Sequence, residues 1–138
     1  VSSQARRYTE MSEQQGPGCC CGGTKLVFAC SGAADVGAVA DQAARRMTVE
    51  GTGQMFCLAG VGGRVSGILK TTEAADAVLA IDGCPLNCVK NCLEQAGFSR
   101  YRHLQLAELG MEKGSTPVND ESIDRVSARG AELLDESV

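Results

Sequence analysis

Three short runs of strand-forming residues, set apart by stretches with helical periodicity and each running into a glycine- or cysteine-bearing turn, leave this chain few folds to adopt. The runs are residues 25–29 (KLVFA), 54–58 (QMFCL) and 77–81 (AVLAI). The third is apolar throughout, as strands buried on both faces of a parallel sheet are. Between the first two, Val36, Val39, Ala40, Ala43 and Met47 recur at helical spacing over residues 35–50, and Gly51 and Gly53 close the pattern. Residues 59–63 (AGVGG) predict a tight turn, and residues 64–75 a short or broken helix diluted by Ser66, Gly67 and two threonines. Pro85 is suited to a first helical position, where its missing N–H costs nothing. It therefore predicts a helix to Ala96 with Cys84 as N-cap, closed by Gly97. Residues 102–107 (RHLQLA) alternate like an edge strand, and residues 119–134 form a closing helix with Ile123, Val126 and Leu133 inward.

Strands and helices in strict alternation imply right-handed crossovers and a parallel sheet covered on both faces. The expected architecture is a single three-layer α/β/α domain over residues 24–138, with a four-stranded parallel sheet in the order 2-1-3-4, Rossmann-like or flavodoxin-like. Such sheets bind ligands at the carboxyl ends of their strands, beside the switch point. Residues 1–23 are polar, contain Gly16-Pro17-Gly18 and predict a flexible amino-terminal arm. With aromatics at 4% and no tryptophan, the core must be built from Val, Leu, Ile and Ala.

The net charge of −4 argues against nucleic acid, whose nonspecific binding rests on Lys and Arg neutralising phosphates. No apolar stretch approaches the ~20 residues a bilayer span needs, and residues 1–18 lack a signal-peptide core. A cytoplasmic location is expected, without a membrane partner. There, disulfides are disfavoured, and eight cysteines point instead to metal binding or thiol chemistry.

Five of those cysteines fall at meaningful positions. Cys30 follows the first strand, Cys57 closes the second and Cys84 follows the third. In a 2-1-3-4 sheet these ends are neighbours, with strands only ~4.8 Å apart. Cys84, Cys88 and Cys92 recur every four residues and make one stripe on a helix, beside its hydrophobic face. On a regular helix Cys84 and Cys92 would stand roughly 12 Å apart, too far to share one ion. The favoured set is Cys30, Cys57, Cys84 and Cys88, four thiolates suited to zinc. The helix amino terminus is expected to lower the pKa of Cys84 and, less strongly, Cys88. The plainer alternative is that each is a small buried hydrophobe. Cys19, Cys20 and Cys21 lie between glycines, and could join the site, build a second one with Cys92, or pass on metal or sulfur.

Other signals are weaker. The glycines of residues 60–63 and the turn after Cys30 could cradle an anion, but neither fits a P-loop or a dinucleotide fingerprint. Arg64 is expected as a solvated charge, and His103, the single histidine, as a hydrogen-bonded or exposed structural residue.

Asp82-Gly83-Cys84-Pro85-Leu86-Asn87-Cys88, with Phe28-Ala29-Cys30-Ser31-Gly32 and Cys57 before it, resembles the DGC-domain family, whose cysteines are taken to bind zinc. The similarity runs from about Leu26 to about Met111. It implies Cys30, Cys57, Cys84 and Cys88 as ligands, with Cys92 as an addition, and implies no settled activity. The expected function is thus a cysteine-thiolate metal-binding protein, with zinc as its ion, in metal handling or sensing. An iron–sulfur protein and a sulfur-transfer or redox protein using Cys84 are the alternatives. Whether the chain is an enzyme is left open.

Overall fold

A computed structural model of the chain describes residues 23–136. Strand β1 (Lys25–Ala29) leads into helix α1 (Asp35–Glu50), then strand β2 (Gln54–Met55), helices α2 (Leu58–Gly62) and α3 (Ser66–Ala74), and strand β3 (Ala77–Asp82). Helix α4 (Cys88–Gln95), strand β4 (Arg102–Gln105), a 3₁₀ turn (Leu106–Leu109) and helix α5 (Asp120–Asp135) complete the described chain. The four strands pair in the order β2-β1-β3-β4, all parallel. Leu26 pairs with Gln54, Ala29 with Ile81, and Asp82 with Gln105. This is the α/β sheet and strand order expected. Among the described residues no helix is long and apolar enough to cross a membrane.

Alternation along the strands divides the core between the two faces. Val27, Ala29, Leu79, Ile81 and Leu104 pack beneath α1 and α5, while Leu26, Phe28, Val78 and Ala80 pack beneath α2, α3 and α4. On the first face, α5 carries Gly130 where a Cβ would stand 2.9 Å from Met47 Sδ and 3.0 Å from Leu79 Cδ2. A mid-helix glycine costs roughly 1 kcal/mol in propensity, and here it lets α5 lie close to α1 and the sheet. Arg46 of α1 bonds to Asp120, at 2.9 Å, and to Asp124. Asn119 caps α5 by accepting from the Ser122 N–H at 2.9 Å.

Local details depart from expectation in four places. The second strand stops at Met55, and Leu58 opens a helix, so the expected turn over residues 59–63 is largely α2. Gly60 permits this because Ile68 of α3 lies 2.7 Å from where its Cβ would be. The apolar run therefore turns onto the sheet face instead of extending an edge strand. The third strand includes Asp82, and the helix after it starts at Cys88, not Pro85. The fourth strand ends at Gln105, because Leu106 turns into the first core and Gly110, at φ 75°, reverses the chain. Arg64 is not a loosely solvated charge. Its backbone has φ 58°, and its guanidinium donates to the Val61 and Gln95 carbonyls at 2.9 Å each, tying the end of α2 to the end of α4.

Candidate metal centre

Three loops meet at the carboxyl edge of the sheet, and each has a physical reason for its path. Cys30 continues β1, its N–H donating to the Ile81 carbonyl at 3.1 Å, so it stays beside β3. The chain then turns through Ser31, at φ 50°, whose hydroxyl donates to Asp41 of α1 at 2.8 Å. Gly37 has no Cβ because the Gly32 carbonyl oxygen would stand 2.4 Å from it.

The second loop contains the Asp82-Gly83-Cys84 tripeptide, and each residue has a separate task. Asp82 is only 1% exposed. Its Oδ1 accepts from the Val89 N–H at 2.8 Å and its Oδ2 from the Lys90 N–H at 3.1 Å. His103 Nε2 lies 2.9 Å from Oδ2, and since an ionised carboxylate only accepts, the imidazole N–H donates. Gly83 lies against the first turn of α1, where a Cβ would be 2.8 Å from the Val36 backbone carbonyl. Cys84 then presents a half-buried thiol against the first core.

This arrangement corrects the helix-start expectation. The N–H groups that open α4 are taken by the buried carboxylate, so Cys84 is not the N-cap; Asn87 is, in the left-handed region at φ 52°. The Asn87 side chain accepts from Gln105 Nε2 of β4 at 2.8 Å. Because Cys84 precedes the helix, it does not share a regular stripe with Cys88 and Cys92, and regular-helix spacing does not set its distance from them. The electrostatic expectation for Cys88 is reversed as well. Although the residue is exposed, partial burial of its thiol pushes its pKa up, followed by the negative charge of Asp82 and then by Cys30, Cys84 and Cys92.

Cys30, Cys84 and Cys92 thus lie close enough to act electrostatically on Cys88. Cys92, one turn into α4, is half-buried, with its sulfur 3.8 Å from where a Gly62 Cβ would be. Cys57 follows β2, is exposed and immediately precedes α2. All five are free thiols. Among the described residues no three His, Cys, Asp or Glu side chains stand together as a finished metal cage. Soft thiol donors on three neighbouring loops have the right chemistry for a thiophilic ion, and side-chain rotation would have to bring the sulfurs into one coordination sphere. Cys19, Cys20 and Cys21 lie outside the described residues.

The supporting residues were harder to find in the sequence. His103 has the hydrogen-bonded role expected of it, but its partner does not show in a linear reading. Asp82 was legible as the acidic residue that ends an apolar run and opens the family motif, Gln105 as one polar position of an alternating strand, and Asn87 as a residue in the first turn of the expected helix.

The chain is 41% identical over 88 residues to the anaerobic and virulence modulator AnvM of Pseudomonas aeruginosa PAO1, an alignment covering 64% of this chain and 67% of that protein. No solved structure matches it. The model of the DGC domain matches residues 26–129, which span all three cysteine-bearing loops and every strand but the first residue of β1, and the chain therefore belongs to the DGC-domain family.

Proposed function

We propose that this protein binds a thiophilic metal ion, zinc in the resting case, through cysteine thiolates at the carboxyl edge of its sheet, and acts in metal handling or sensing. The observation that carries the reading is that Cys30 and Cys84 leave the paired strands β1 and β3 side by side, with Cys88 opening the helix that follows β3. Cys30, Cys84 and Cys88 would form the centre of the ligand set. Cys57, at the end of the neighbouring strand β2, and Cys92, one turn into α4, are the two candidates to complete it. Each thiol that ligates releases its proton to solvent, and the cation offsets the negative charge that thiolates would otherwise accumulate beside Asp82. A reducing compartment, the cytoplasm, keeps these thiols free. The relative's name describes a modulator, which suits a sensing role for the bound ion.

Elemental analysis and the absorption spectrum of anaerobically purified chain test this reading. A colourless protein with one zinc, lost in Cys84→Ser and Cys88→Ser, is expected. Whichever of Cys57→Ser and Cys92→Ser weakens retention more identifies the fourth ligand. A brown protein containing iron and sulfide would replace zinc with a cluster. Metal-free protein that takes up no added zinc would overturn the proposal.

A further inference from the structure

We infer that β4 is the positioning strand of this thiolate site, with His103 and Gln105 acting through the cysteine loop without touching the ion; the inference rests on the thiolate reading above. Residues two apart on a strand share a face. His103 and Gln105 both use that face to hold the loop between β3 and α4. His103 holds its beginning, by donating to Asp82. Gln105 holds its end, by donating to the Asn87 side chain immediately before Cys88.

Asp82 converts the first contact into a clasp. It stands two residues before Cys84, and the N–H groups it accepts from belong to the two residues after Cys88. One buried carboxylate therefore closes both ends of the segment carrying these thiols. Its Oδ2 receives both Lys90 and His103, so the imidazole sets where that oxygen points. Asn87 keeps a left-handed backbone, which is strained for a residue with a Cβ. Asparagine tolerates this better than most, and Gln105 fixes the rotamer that accompanies it.

The consequence is specific. Loss of either β4 contact leaves the core intact, because both side chains are half-buried at the sheet edge. It allows the Cys84–Cys88 segment to sample orientations that do not bind. Residues that orient ligands from outside the coordination sphere typically change metal affinity by about 10–100-fold. Glutamine places its amide nitrogen near the position of a histidine Nε2, so His103→Gln should preserve the contact that His103→Leu removes.

The test is a cobalt(II) titration of the reduced full chain under anaerobic conditions, following thiolate-to-cobalt absorption and competing with a chelator. Circular dichroism and metal-free urea midpoints accompany each variant. His103→Leu and Gln105→Leu are expected to fold as wild type, bind cobalt about tenfold or more weakly, and show altered ligand-field bands. His103→Gln should return close to wild type. If His103→Leu fails to fold, Gln105→Leu carries the decision. A wild type that binds, with Gln105→Leu and any folded His103→Leu binding equally well with an unchanged spectrum, overturns the inference alone. So does His103→Gln binding as weakly as a folded His103→Leu. A wild type that takes up no cobalt overturns the thiolate reading and this inference with it.

Discussion

Replacing Asp82 with alanine should destabilise the metal-free domain by about 1–3 kcal/mol, and the structure supplies the separate contributions. The carboxylate accepts three hydrogen bonds: from the buried Val89 N–H, from the Lys90 N–H and from His103. Losing a helix cap costs about 0.5–2 kcal/mol, and leaving a buried N–H without a partner costs about 1–3 kcal/mol. These overlap at Val89. Lys90 and His103 lie nearer water, which can replace their lost bond, so they add little. Asp82→Asn retains one acceptor oxygen but turns an amide donor toward a donor, and should cost about half as much. With a mid-range urea m-value of about 2 kcal/mol per molar, the alanine variant should unfold roughly 0.5–1.5 M urea earlier than wild type in reduced, chelated buffer. Midpoints within about 0.3 M of each other would refute the clasp, because a carboxylate that organised the loop could not be removed so cheaply.

Gly83→Ala should cost about 1–3 kcal/mol, since its Cβ would meet α1 backbone that cannot rotate away. Gly32→Ala, where nothing lies within 4 Å of the added atom, should stay within about 0.5 kcal/mol in the same urea measurement. Burial and the hydrogen bond to Glu94 push the Tyr101 phenol up to about 12. The folded state therefore keeps a proton that the unfolded chain loses above about 10. The corresponding stability is complete below about 10 and disappears as pH climbs through about 12. Urea midpoints of wild type and Tyr101→Phe across that alkaline window should show the slope reduced in the variant. Zinc binding should release protons and weaken as pH falls, because ligating thiols must be deprotonated and the Cys88 pKa is raised. Calorimetric titration in buffers of different ionisation enthalpy would count those protons, and a pH-independent affinity would contradict thiolate ligation.

Hydrophobic periodicity by itself determined the alternation of strands and helices. Right-handed crossovers then called for a parallel sheet, and the ends of the apolar runs placed Cys30, Cys57 and Cys84 at or beside strand ends. These are local or topological properties, written in spacings of two and three to four residues. Only the tertiary structure decided how the loop after β3 is held. The apolar run through Phe56, Cys57 and Leu58 could extend a strand or turn onto the sheet, and Ile68 against Gly60 decided for the turn. Pro85 is a good local helix start, but Asp82, His103 and Gln105 impose a different one through contacts that span 7, 21 and 18 residues. Local propensity is worth tenths of a kcal/mol per residue, whereas a buried carboxylate with three donors is worth several times that, so at this loop the distant contacts prevail.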